Sequence, residues 1–149
     1  MTSGIRAVLK GGFLAGILDI TAAFVVYGFR GASPVRILQS IAAGLLGADA
    51  LAGGLATAAL GGLLHFIIAT GWTAVYFALS RKLDVLLRRP VLSGIAYGVV
   101  VYFIMNLVVL PLSAFPKRPF ALDAVIVVVH MLCVGLPIAL AVRRWAPKA

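Results

Sequence analysis

Charged residues make up only 11% of this 149-residue chain, and the acidic ones number 4 against 13 lysines and arginines. An ordinary soluble domain is about a quarter charged, so the shortage rules out a solvated surface over most of the chain. The single cysteine, Cys133, excludes an intrachain disulfide and any cysteine-rich metal motif. The short catalytic signatures are missing too: there is no G-x-S-x-G, no H-E-x-x-H, no P-loop and no paired catalytic carboxylates. The expectation is a protein that is not an enzyme.

What the chain has in excess is apolar sequence, 63% hydrophobic with a mean hydropathy of +1.14. Apolar runs occupy 11–29, 55–79, 91–112 and 121–142. About 20 helical residues cross a hydrocarbon core of about 30 Å, and only helices satisfy their own backbone there in a chain of this pattern. The sequence therefore predicts an all-α, multi-pass transmembrane bundle of four spans in a single integral domain. A net charge of +9 in a soluble chain would point to nucleic acid. Here the basic residues cluster between apolar runs, so they read as topology determinants and headgroup contacts, with the lipid bilayer as the partner.

Between the first two runs lies GASPVRILQSIAAGLLGADALAGG. Ser33 is a good N-cap and Pro34 a good first helical residue. From 34 to 47 such a helix runs about 21 Å, and Arg36, Gln39, Ser40 and Asp49 suit it poorly to lipid. It is expected to be a short interfacial or re-entrant helix. With both termini cytoplasmic, Arg6, Lys10, Arg81, Lys82, Arg88, Arg89, Arg143, Arg144 and Lys148 lie inside, against Arg30, Arg36, Lys117 and Arg118 outside. A fifth span would exchange Arg6 and Lys10 for Arg30 and Arg36 and leave the same balance, so charge counting alone does not decide.

Asp19 stands in the middle of the first run, in LDITAAFVVYGFR, where a carboxylate is costly unless paired, protonated or wet. His65 and His130 fall at similar depth in the second and fourth spans, and Asn106 nearer the outer side of the third. Three readings remain open for this group: structural glue between helices, a proton or cation relay, and a haem held by His65 and His130. Metal binding through His65, His130 and Cys133, with Asp19, has suitable ligand types but no diagnostic spacing. Gly12 and Gly16, like Gly94 and Gly98, are small residues four apart that permit close helix packing, within the chain or in an oligomer. Trp72 and Tyr76 fit an aromatic belt. Pro111, Pro116 and Pro119 are expected to end the third span in a stiff turn presenting Lys117 and Arg118, which with Arg30 and Arg36 form a basic extracytoplasmic rim. That rim anchors phosphate headgroups or draws anions toward the protein.

The run HFIIATGWTAVY, from His65 to Tyr76, is followed by SGIAYGVVVYFIMNLVVLPL and a proline-rich turn, and later by His130 ahead of Arg143 and Arg144. Taken together these resemble the YagU-type bacterial inner-membrane proteins over about the last two thirds of the chain, with a weaker match at residues 14 to 16. The resemblance implies a multi-pass inner-membrane protein associated with acid tolerance. The chain departs from that family in two places: Asn106, which cannot titrate, stands where relatives can carry a histidine, and the connection between the first two spans is shorter than in the enterobacterial relatives. The function expected is proton-linked or ion-permeating transport by a homo-oligomer. The alternatives are a non-catalytic subunit that assists a larger membrane complex, with its glycine faces as contacts, and a bis-histidine haem protein.

Overall fold

The structure, a computed structural model, describes residues 2–146; Lys148 lies outside the described residues. Every regular element among them is helical. Five helices are long and apolar enough to cross a membrane: α1 (Ser3–Phe29), α2 (Pro34–Ala52), α3 (Gly54–Ser80), α4 (Pro90–Leu112) and α5 (Ala124–Trp145). A single turn, Val85–Arg88, sits in the α3–α4 connection.

Local chemistry sets the helix ends. The Thr2 side chain accepts a hydrogen bond from the Ile5 amide at 3.4 Å, which caps α1 and starts it eight residues before the apolar run. Arg6 and Lys10 therefore ride on the helix. Ser33 caps α2 by accepting from the Arg36 amide at 3.2 Å, ahead of Pro34. At Gly47, φ is +73°, a value that favours glycine, and there the α-helix gives way to a 3-10 segment, Gly47–Ala52. The helix read as 34–47 thus ends at Leu46, and the following segment folds back beside it: Arg36 donates to the Leu51 carbonyl at 3.1 Å and Gln39 to the Gly54 carbonyl at 3.0 Å.

Side-chain and glycine contacts fix the helix directions. Along α1, Gly4 meets Phe77, Gly12 meets Thr70 and Gly16 meets Phe66, so α1 and α3 are antiparallel. Gly94 against Gly135 and Gly98 against His130 set α4 and α5 antiparallel. Lys10 over Trp145, at 5.1 Å, and Arg30 with Asp123 do the same for α1 and α5. Both described ends of the chain therefore lie at one end of the bundle, the termini end. The α1–α2 turn and the α4–α5 loop lie at the other. Because α1 finishes and α3 begins at that second end, both ends of α2 lie there. Between them α2 crosses α3, with the Leu38 carbonyl against Gly61, about 10 Å below the start of α3. The face of α2 that packs carries Ile37, Gln39, Ala42 and Ala43, while Leu45 is exposed. Small side chains sit at this crossing because a larger one would hold α2 away from Gly61.

The core joins α1, α3, α4 and α5 around Ala15, Tyr76, Tyr97, Val101, Val134 and Ile138. Tyr76 is fully buried rather than part of an aromatic belt. Its hydroxyl donates to the Leu86 carbonyl at 3.0 Å, and Tyr97 donates to the Trp72 carbonyl at 2.7 Å, so each buried O–H is satisfied. Large apolar side chains such as Phe13, Leu63, Val100 and Leu132 face outward, as a hydrocarbon solvent allows.

Both α4 and α5 contain a π turn, Met105–Val109 and His130–Gly135. Each lies just ahead of a proline. The Leu110 amide bonds back five residues to Met105, and Pro111 has no amide to offer. The Leu136 amide likewise bonds to Met131, ahead of Pro137. The Asn106 and Leu132 carbonyls consequently lose their helical donors. Pro111 does not end its helix at once, since α4 runs on to Leu112.

Candidate functional site

Asp19 lies on α1, partly exposed, and has no hydrogen bond or ion pair among the described residues. It comes close enough to Cys133 of α5 for the two to interact electrostatically. The His65 ring bonds through Nε2 to the Gly16 carbonyl at 2.9 Å, one turn of α1 from Asp19. A carbonyl only accepts, so Nε2 of His65 carries the proton. By the same reasoning Nδ1 of His130 donates to the Ile126 carbonyl at 3.0 Å. Asn106 donates to the Tyr102 carbonyl at 2.9 Å. No hydrogen bond joins Asp19, His65, Asn106 and His130 to one another. His65, His130 and Asn106 each spend one polar atom on a nearby carbonyl, and among these four residues Asp19 is the one whose side chain makes no hydrogen bond at all.

Tyr102, which composition and spacing did not single out, links two of these residues. Its ring meets His130 edge to face at 5.5 Å, its carbonyl holds Asn106, and its hydroxyl accepts from the Asp123 amide at 2.9 Å. Tyr102, Asn106 and Asp123, though not His130, line a cavity of about 470 Å³ at the end of the bundle opposite the termini. Around its mouth stand Arg30, Lys117 and Arg118. Arg36 belongs elsewhere, on the Leu51 carbonyl.

Arg30 forms a two-pronged ion pair with Asp123, through Nη1 to Oδ2 and through Nη2 to Oδ1 at 3.2 Å, tying the end of α1 to the start of α5. Asp123 also caps α5, accepting from the Ile126 amide at 3.3 Å. The sequence does carry a signal for it, since an aspartate just before an apolar run is a standard N-cap; its partner 93 residues away carries none. The Arg30 guanidinium holds the Asp123 carboxyl below the ordinary carboxylate value of 3.8, and Asp123 in turn raises Arg30. With the folded value depressed, the stabilisation is present above the unfolded value and is lost as pH falls through the folded one. Thermal unfolding followed against pH should therefore show an acid-side loss in wild type, below the usual carboxylate range, that Asp123→Asn lacks. Asparagine still caps the helix, so the Asp123→Ala protein should melt below the Asp123→Asn protein by the worth of the cap, about 1 kcal/mol. Equal melting of the two would show that the cap contributes nothing.

Lys117 turns back to donate to the Pro111 carbonyl and, at 3.4 Å, to that of Ser113. The Arg118 guanidinium stacks over Phe115 at 5.3 Å. The paired glycines face helices of the same chain. A Cβ on Gly12 would sit 2.6 Å from Thr70, one on Gly16 2.6 Å from Phe66, one on Gly94 2.9 Å from the Gly135 carbonyl and one on Gly98 2.3 Å from the His130 carbonyl. A partner protein docking on these faces would have to displace a helix of this chain, so they are not open contact surfaces.

Among the described residues no three His, Cys, Asp or Glu side chains converge as a metal site. With Nε2 of His65 spent on Gly16, one of the two nitrogens that bis-histidine haem ligation uses is occupied. No family model matches the chain, and comparison with curated proteins and with solved structures gives no match.

Proposed function

We propose that this is a small integral protein of the bacterial inner membrane that carries protons or proton-coupled ions, with Asp19 as the titrating group. One observation carries the reading: a carboxyl near the middle of a 27-residue apolar helix has no hydrogen bond or ion pair among the described residues. A carboxylate left alone at that depth is expensive, and the ways to relieve the cost are to take up a proton, to meet water, or to meet a second copy of the chain. The first of these puts a labile proton in the membrane interior, and the second gives that proton a route to and from the carboxyl. Asp19 lines neither the cavity at the Arg30 end nor the apolar groove beside Phe77, which favours a pathway between protomers and hence a homo-oligomer.

On this reading α1, α3, α4 and α5 span the membrane and α2 is re-entrant. The antiparallel pairing of α1 with α3 supports that count, because a full crossing by α2 would make them parallel. The same arrangement gathers Arg6, Lys10, Arg81, Lys82, Arg88, Arg89, Arg143 and Arg144 at the termini end, which supports a cytoplasmic placement of the termini. The YagU-type resemblance between His65 and Leu112 agrees with such a role and would give it a setting in acid tolerance. The test is proton flux in proteoliposomes, wild type against Asp19→Asn.

A further inference from the structure

We propose that the cavity at the Arg30 end binds the phosphate group of an anionic phospholipid, with Arg118 and Lys117 as the recognising cations and the apolar wall beside them taking the start of an acyl chain. The cations at the mouth are not equivalent. Arg30 is matched by Asp123 and contributes little net charge. Lys117 places two of its three ammonium hydrogens on the Pro111 and Ser113 carbonyls, leaving one to give. Arg118 stacks on Phe115 and makes no hydrogen bond to protein among the described residues, so its N–H groups are free for the two-pronged geometry that phosphate accepts. Two positive charges without a carboxylate partner among the described residues thus line one cavity.

The surroundings select the kind of anion. Phe120 is 45% exposed, Leu122 63% and Leu112 83%, all at the same end of the bundle as the two cations. A soluble anion has no use for that surface, whereas a lipid whose phosphate meets Arg118 would lay its first methylenes along it. Pro111, Pro116 and Pro119 stiffen the segment that carries both cations, so little ordering is left to do on binding. A volume of about 470 Å³ lies within the range of small-molecule sites, about 300 to 1,000 Å³. Asp19 lines no part of this cavity, so this proposal and the one for proton flux fail separately.

Native mass spectrometry of the full chain in neutral detergent, titrated with phosphatidylglycerol, tests it. Wild type should bind, and the Lys117→Ala/Arg118→Ala double variant should bind at least about tenfold more weakly, a difference of about 1.4 kcal/mol. The Arg143→Ala/Arg144→Ala double variant, which removes as much charge at the opposite end, should change binding by no more than about twofold. Binding of inorganic phosphate that is abolished in the Lys117/Arg118 variant, with no binding of the lipid itself, would assign the same phosphate chemistry to a free anion and overturn the lipid assignment. Equal binding of phosphatidylcholine and phosphatidylglycerol, or equal loss in the two double variants, would overturn the site. Circular dichroism of each variant confirms that helices remain, and rescue by Lys117→Arg/Arg118→Lys keeps the outcome decisive if the alanine variant is poorly behaved.

Discussion

Gly135→Ala should lower the melting temperature of the purified protein by about 6–12 °C, while Gly71→Ala should leave it unchanged or raise it slightly. The two substitutions add the same methyl group to helices of the same bundle. At Gly135 the new carbon would stand 2.0 Å from the Gly94 carbonyl oxygen and 2.4 Å from the Gly98 nitrogen. Those are backbone atoms, which cannot rotate aside as a side chain can, so α4 and α5 must part along the whole crossing. Overpacking of this kind costs about 1–3 kcal/mol, and the upper end applies where backbone meets backbone; for a chain of this length each kcal/mol is worth about 2–4 °C. At Gly71 nothing lies within 4 Å, and replacing glycine in a helix interior gains about 0.5–1 kcal/mol. Gly61→Ala provides a second case, since its Cβ would fall 1.9 Å from the Leu38 carbonyl and drive α2 off α3. The measurement is thermal unfolding in one detergent for all three. If Gly135→Ala melts with Gly71→Ala, the α4–α5 spacing described here is wrong.

These contacts also mark how far the sequence could be read. An all-helical, membrane-compatible chain follows from hydropathy, because lengths of apolar sequence near 20 residues admit few alternatives. The exact starts are less visible: Thr2 sets the beginning of α1 through one hydrogen bond, and Asp123 caps α5 two residues inside the apolar run that begins at 121. The glycine spacing announces that something approaches closely, but not what. That Gly12 meets Thr70 and Gly98 meets His130 is a property of the assembled bundle. Tyr76 misled for a related reason, since an aromatic near a span end resembles a headgroup anchor until its hydroxyl is seen to cap the Leu86 carbonyl in the core. Prolines 111 and 137 are plain in the sequence, whereas the π turns before them depend on which amide shifts its acceptor. The relay residues show the limit most clearly. Depth groups Asp19, His65, Asn106 and His130, yet side-chain direction, which depth does not determine, sends the two rings and the amide to separate carbonyls.

That separation sharpens the result expected for Asp19→Asn, which should reduce proton flux by at least about tenfold without lowering the melting temperature. Asparagine matches aspartate in size and loses only the ability to ionise. If Asp19 served as glue, the substitution would remove an ion pair or a charged hydrogen bond inside the membrane, and breaking a buried pair costs about 3–5 kcal/mol. The described chain offers no such pair to break. Removing a charge that has no partner relieves desolvation, so stability should hold or rise while conduction is lost. Flux and melting read together therefore separate the possibilities. Lower flux with an unchanged melting temperature identifies the carboxyl as the proton carrier. Unchanged flux rejects that role. A fall in both, sensitive to protein concentration, would place the missing partner of Asp19 on a second copy of the chain, and Asp19→Glu, which restores the charge one methylene further out, would then recover assembly before it recovers flux.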